Sequence, residues 1–273
     1  MPLYQAIVLA IVQGLTEFLP VSSTAHLTLF PWLLGWKDPG LTFDVALHAG
    51  TLVAVFVYFW RLWLQMLQSV VRPGNPADPK LAGSRQLLLY VILGTIPAAI
   101  IGWLFEKSIE TNLRNPFVIA TALIVVGLLM WWGDRRPDHE HALGQVTLMD
   151  SIFVGVSQAL AVIPGVSRSG ITMTAGLFRG MKRETSARFS FLLSTPIIAG
   201  AALKKGLEMY HEGIPTEMVM PLAVGVLVSA VVGYMVIAVL IRYLERRTFT
   251  IFVVYRVVLG VIVLLVGWGL RHT

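Results

Sequence analysis

The chain has 273 residues, 56% of them hydrophobic and 13% charged. Ordinary globular domains carry about 25% charged residues, so this composition points away from a solvated soluble domain and toward an integral membrane protein. The formal charge of +6 does not indicate a nucleic-acid partner, because the Lys and Arg residues lie between apolar runs and form no contiguous basic face. The absence of cysteine excludes disulfides, thiol nucleophiles and Cys-ligated metals.

Residues 3–19 are apolar but slightly short for a span of about 20 residues. They lack a basic n-region and a small-residue cleavage site, so they are expected to stay in the mature fold rather than leave as a signal peptide. Pro20 and the run Ser22, Ser23, Thr24 break this segment before a second apolar piece at 27–34. Two half-helices joined by a polar elbow predict a re-entrant hairpin, whose irregular backbone is tolerated at bilayer depth only beside protein or a water-filled cavity. Fuller spans follow at about 43–63, 86–105 and 117–133. A second broken segment covers about 150–178, with Pro164, Gly165 and the elbow Ser167-Arg168-Ser169-Gly170. Three more spans are expected at about 187–203, 218–241 and 249–270.

The two elbows repeat one pattern. Gln13 and Gln158, Leu15 and Leu160, Val21 and Val166, Ser22 and Ser167 all stand at the same offset, which sets Ser23 against Arg168 and Thr24 against Ser169. A hairpin plus three spans is an odd number of crossings, so the second unit is inverted relative to the first. The predicted fold is therefore an all-α integral membrane protein, with six transmembrane helices plus two re-entrant helical hairpins in an inverted-topology repeat. It forms one polytopic domain over 1–273, with repeats at about 1–133 and 150–273. The elbows are expected to meet near the midplane.

Basic residues set the orientation. Arg61, Arg72, Lys80, Arg85, Arg135, Arg136, Arg179, Lys182, Arg183, Arg188, Arg242, Arg246 and Arg247 share the face of the second hairpin, against Lys37, Lys107, Arg114, Lys204, Lys205 and Arg271 opposite. This bias predicts a cytoplasmic first face, with both termini and the mouth of the first hairpin outside.

An ionisable group at bilayer depth costs on the order of 2.5–3.5 kcal/mol on insertion scales, so Glu17, His26 and Arg168 are functional candidates by default. Gln13 and Glu17 share a helix face just before the break. Ser22, Ser23 and Thr24 start the next half-helix, where hydroxyls cap and free N–H groups face an anion. Ser167, Ser169 and the backbone through Gly170 offer the same geometry, and Arg168 adds a planar fork suited to phosphate. This constellation suits phosphoryl chemistry, with Ser23 as leading nucleophile and Glu17 or His26 as its base. Direct attack by His26, or water activated by a metal on Glu17, stays open. Each member also has a plain structural reading: hydroxyl caps, a core histidine, a neutralising Glu17–Arg168 pair. His139 and His141 have metal-compatible spacing in what reads as a solvated loop, Asp44 and His48 line the cavity or sit at the interface, and Arg256 in the last span meets either substrate phosphate or a structural partner.

At the motifs QGLTEFLPVSSTAH (13–26) and PGVSRSG (164–170), supported by FSFLLSTP (189–196), the sequence resembles the undecaprenyl-pyrophosphate phosphatase family linked to bacitracin resistance. The likeness covers essentially the whole chain. It implies a multi-pass enzyme of the bacterial inner membrane that hydrolyses undecaprenyl pyrophosphate to the monophosphate, with a site open to the outer side and a divalent cation, Mg2+ or Ca2+. The implied partners are a prenyl pyrophosphate and membrane lipid, with room for a homodimer. By position, the family's acidic residue falls on Glu17, its serine on Ser23, its histidine on His26 and its arginine on Arg168. Gln13 departs from the second glutamate common in the family, which shifts weight to Glu17 working alone, and Ala25 replaces a common glycine. A secondary transporter of an anionic solute and a lipid-phosphate flippase are the rival readings.

Overall fold

The computed structural model describes residues 1–37, 39–71, 79–112, 115–213 and 215–269. The described residues contain eleven α-helices: α1 Leu3–Phe18, α2 Ser23–Leu33, α3 Leu41–Tyr58, α4 Trp60–Val71, α5 Pro79–Asn112, α6 Pro116–Asp134, α7 Leu148–Ala159, α8 Arg168–Phe178, α9 Arg183–Glu212, α10 Thr216–Leu244 and α11 Thr250–Gly269. Among the described residues, five stretches are long and apolar enough to cross a membrane: Leu41–Tyr58, Gly83–Leu104, Pro116–Asp134, Arg183–His211 and Thr216–Leu244. The described apolar part of α11, Thr250–Val266, is shorter, and residues 270–273 lie outside the described residues. Part of the basic loop expected around Arg72 to Arg85 lies outside them as well, as does Arg114. The outer surface presents large apolar side chains such as Val57, Leu89, Leu227 and Val239. A surface of that kind matches lipid as its solvent.

Two expectations at the helix level are corrected. The first full span does not run to Trp63: α3 stops at Tyr58, and Phe59 separates it from α4. The reason is the sequence WRLWLQMLQSVV, whose polar positions Arg61, Gln65 and Gln68 favour a separate amphipathic helix with Met66 and Ser69 turned inward. Helix α5 extends beyond the expected 86–105 at both ends.

Both broken segments are present, as α1–α2 and α7–α8. Each packs its first half against a long helix from the other half of the chain, α1 on α10 and α7 on α5. Glycines allow these crossings. A Cβ on Gly155 would stand 2.2 Å from the carbonyl oxygen of Gly94, so α7 and α5 touch backbone to backbone. Ser151 then donates its hydroxyl to the carbonyl of Tyr90. At the far end of the bundle, Asp134 accepts from Arg183 Nε at 2.5 Å and from the Phe249 amide at 2.9 Å, tying α6, α9 and the start of α11 together. Asp150 caps α7 through Thr147 and pairs with Arg179 at 2.6 Å. The core beneath the elbows includes an edge-to-face contact of Phe18 with Phe191, centroids 5.1 Å apart.

Candidate active site

The elbows are built by local sequence. Helix α1 ends before Pro20, and Ser22 turns the chain at φ +78°, its hydroxyl accepting from the Ala25 amide at 3.4 Å to cap α2. In the second elbow Gly165 has φ +92°, Ser167 has φ +70°, and Ser167 caps α8 by accepting from the Gly170 amide at 3.1 Å. Ser22 and Ser167 are the two non-glycine residues with positive φ among those described. Each such conformation costs about 1–3 kcal/mol and persists only where its surroundings over-determine it.

Arg256 of α11 supplies much of that support. Its side chain is fully buried. Nη1 donates to the Pro20 carbonyl at 3.0 Å in the first elbow, and Nη2 to those of Gly165 and Val166, each at 3.0 Å, in the second. Nε donates to Leu123 of α6 at 3.1 Å. The guanidinium therefore staples the elbows together, which places Arg256 with the structural partner weighed from the sequence rather than with a phosphate contact. Gly170 has to be small here, since a Cβ would stand 2.9 Å from Arg256 Nη1. Ser169 adds a second tie by donating to the Leu19 carbonyl at 3.0 Å.

With the elbows joined, the predicted site residues fall into two groups. Glu17, buried at the end of α1, is the centre of the first. Its Oε2 accepts from Ser23 Oγ at 2.6 Å and from Gln13 Nε2 at 3.0 Å, and its Oε1 pairs with Arg168 Nη2 at 2.5 Å. Thr24 lies beside Ser23, exposed to the same cavity. His26 belongs to a different environment. Its Nδ1–H donates to the Ser22 carbonyl at 2.7 Å, which leaves Nε2 to accept from the Tyr255 hydroxyl at 2.6 Å. Both ring nitrogens are thus engaged away from Ser23.

The structure adds one residue to each group. His48 Nε2 stands 3.3 Å from Glu17 Oε2, while its Nδ1–H donates to the Asp44 carbonyl at 2.7 Å. That contact is attractive when the ring carries both protons, so the pair can hold a proton between them. Tyr255, from α11, holds His26. The sequence offered His48 as a possible cavity residue, but no local signal linked Tyr255 to His26 across more than two hundred residues. His139 and His141 form no metal cluster: among the described residues no group of three or more His, Asp or Glu gathers. Their loop instead joins 180–182 through backbone bonds.

A cavity of about 320 Å³ opens over Glu17, Ser23, His48 and Arg168. One side of its wall is apolar, with Ala98 and Gly102 from α5 and Ile197 and Ala201 from α9. Pro97 and Pro196 sit inside α5 and α9 next to these wall residues. Arg168 spends Nη2 on Glu17, but its Nη1 is buried without a partner among the described residues.

An all-helical, lipid-faced bundle whose described residues gather a serine, a carboxylate and a guanidinium around one cavity is that of a multi-pass membrane protein. The chain belongs to the bacitracin resistance protein BacA family, whose profile matches residues 6–262. It is 51% identical to an undecaprenyl-diphosphatase of Moorella thermoacetica over 98% of this chain and 99% of that one. A Gemmatimonas aurantiaca undecaprenyl-diphosphatase is 50% identical over 96% and 97% of the two chains. Undecaprenyl-diphosphatase 2 of Stutzerimonas stutzeri is 48% identical over 98% and 100%.

Proposed function

We propose that the protein hydrolyses undecaprenyl pyrophosphate to undecaprenyl phosphate and inorganic phosphate, recycling the lipid carrier of cell-wall synthesis and so conferring bacitracin resistance. The observation that carries this reading is the hydrogen bond from Ser23 Oγ to Glu17 Oε2 at 2.6 Å, in a cavity that also holds Arg168. A nucleophile within hydrogen-bond reach of its base, with the base oriented by a third group, is the arrangement covalent catalysis requires. Arg168 binds the terminal phosphate through Nη1 while Nη2 keeps Glu17 in place. Ser23 Oγ attacks the terminal phosphorus as Glu17 takes its proton. The Oγ–P bond forms, the bridging P–O bond breaks, and the prenyl monophosphate leaves. Glu17 passes that proton to the departing monophosphate. Water then attacks the phosphorus as Glu17 takes its proton, the Oγ–P bond breaks, and the proton returns to Ser23 Oγ as inorganic phosphate leaves. His48 shares that proton through its 3.3 Å contact with Glu17.

A divalent cation, Mg2+ or Ca2+, belongs to this reading. The residues fit one, since hard cations take oxygen donors and such sites often use one or two carboxylates plus substrate phosphates. Glu17 and the orphaned carbonyl oxygen of Gln13 would hold it with the substrate's own oxygens. When bound it neutralises charge on the pyrophosphate.

The proposed architecture is six spans plus two re-entrant hairpins, related as an inverted repeat. The common offset of the elbow motifs, the paired positive φ angles of Ser22 and Ser167, and the packing of α1 on α10 and α7 on α5 support it. The proposed setting is the bacterial inner membrane, with the site open to the outer side and both termini there. Supporting this, the cavity wall climbs from Ala98 to Gly102 and from Ile197 to Ala201, toward the face of Lys107, Lys204 and Lys205, which carries fewer Lys and Arg in all than the face opposite. A homodimer through the lipid-facing surface is compatible with this reading.

The test is phosphate release from a prenyl pyrophosphate by protein purified in detergent, with magnesium or with chelator. Release that depends on the cation and is lost in Ser23→Ala supports the proposal. An anion transporter would release none, and release that survives Ser23→Ala would transfer the attack to water. For orientation, a single cysteine at Asp138 should be shielded from an impermeant label in intact cells, and labelling there would invert the topology.

A further inference from the structure

Gln158 in α7 stands where Gln13 stands in α1, at the offset shared by the two elbow stretches. Their side chains meet different fates. Gln13 has Glu17 four residues on and donates to it at 3.0 Å. Four residues after Gln158 comes Val162, which offers no acceptor. Gln158 is 2% exposed, and among the described residues neither its amide nitrogen nor its amide oxygen has a hydrogen-bond partner. It nevertheless lines the cavity that contains Ser23, Glu17 and Arg168.

Native interiors leave few polar groups in that condition, because an unmet buried donor or acceptor forfeits its hydration. The amide nitrogen of Gln158 and Nη1 of Arg168 are both donors, and two unmet donors lining one cavity point to a ligand rich in acceptor oxygens. The residue type suits an anion. A carboxylate at this position would repel pyrophosphate and compete with Glu17 for Arg168, whereas an amide donates without charge. Valine at 162 keeps that amide uncommitted.

We infer that Gln158 is a substrate-binding residue, its amide N–H donating to a non-bridging oxygen of the pyrophosphate beside the free Nη1 of Arg168. The inference rests on the reading of this cavity as the pyrophosphate site. The second half of the chain thus contributes two donors to the substrate, while the first half contributes nucleophile and base. Gln13 and Gln158, matched in sequence, do different work: one orients Glu17, the other meets the substrate.

The experiment compares full-length wild type, Gln158→Met and Gln158→Glu in detergent, measuring kcat, KM and thermal midpoint with farnesyl pyrophosphate as probe. Methionine keeps the volume and removes both polar ends. It should lower kcat/KM roughly 10- to 100-fold, as expected for one lost hydrogen bond to a charged group, without lowering the midpoint. Glutamate should lose more, through a raised KM. Binding of the probe to Ser23→Ala should weaken when Gln158→Met is added. If Gln158→Met retains wild-type kcat/KM, the amide meets only water and the inference fails. A loss of activity that tracks a lowered midpoint in both variants overturns it too, by assigning Gln158 to the fold. A wild-type protein that releases no phosphate overturns the reading of the cavity itself, a result distinguishable from either of these.

Discussion

Replacing Arg256 by lysine keeps the positive charge and removes the fork that joins the two elbows. The guanidinium makes five hydrogen bonds, all to backbone carbonyls: Leu123, Pro20, Ala122, Gly165 and Val166. An ammonium has three donors on one nitrogen, so at least two of these bonds disappear and the tie between the elbows is weakened. Bonds from a charged group are worth about 1.5–3 kcal/mol each, which sets the loss at about 3–6 kcal/mol. Water entering from the neighbouring cavity brings the figure toward the lower end. Against a total stability of about 5–15 kcal/mol, that is a large fraction. For a chain of this size it corresponds to a midpoint lowered by roughly 6–12 °C at the smaller value. Activity should suffer as well. Ser23 follows the elbow at Pro20 and Arg168 follows the elbow at Val166, so relaxed elbows separate nucleophile from phosphate clamp, and a displacement of about 1 Å can cost on the order of 100-fold in rate. Arg256→Lys is assayed by thermal unfolding in detergent and by phosphate release. A variant with the wild-type midpoint and wild-type kcat/KM would falsify the stapling role.

Other substitutions separate the roles within the site. Glu17→Gln keeps the shape and the contact with Gln13 but removes the base, so kcat should fall about 10²- to 10⁴-fold; a near-normal kcat in a phosphate-release assay would show that Ser23 relies on another base. Tyr255→Phe removes only the hydroxyl that His26 accepts from, and is expected to lower kcat/KM less than about 10-fold, as one neutral hydrogen bond warrants. A loss as deep as that of Ser23→Ala would bring Tyr255 and His26 into the chemistry. Gly155→Val drives a side chain into the carbonyl of Gly94, where the ideal Cβ already stands 2.2 Å away. The purified variant should elute as a broadened or aggregated species on size exclusion, and a sharp wild-type peak at an unchanged midpoint would contradict the backbone-to-backbone crossing of α7 and α5.

The break between α1 and α2 was legible because proline and a run of hydroxyls interrupt an apolar segment, and such interruptions are local. The same holds for the second break at Pro164 and Gly165, and for the match of Ser22 with Ser167, which turn out to share a backbone conformation as well as a letter. The division of the first expected span into α3 and α4 was also written locally, in the polar positions of 60–71, but mean apolarity hid it. Arg256 shows the other kind of limit. Its neighbours in sequence are apolar, so nothing near it says whether its fork meets phosphate or carbonyl oxygen.

The sequence by itself determined the membrane-type composition, the two elbows, and the supply of a serine, a carboxylate, an imidazole and a guanidinium at those breaks. These follow from residue type and from spacing along a helix or turn. Only the tertiary structure decided how they are grouped: Ser23 with Glu17 and Arg168, His48 joining them from α3, His26 turned instead to Tyr255, and Gln158 left facing the cavity while Gln13 is bound to Glu17. Hydrogen-bond partners in this site come from α1, α2, α3, α8 and α11, and their distances are set by how helices cross at Gly94 and Gly155 and by one buried arginine, none of which a local pattern can encode.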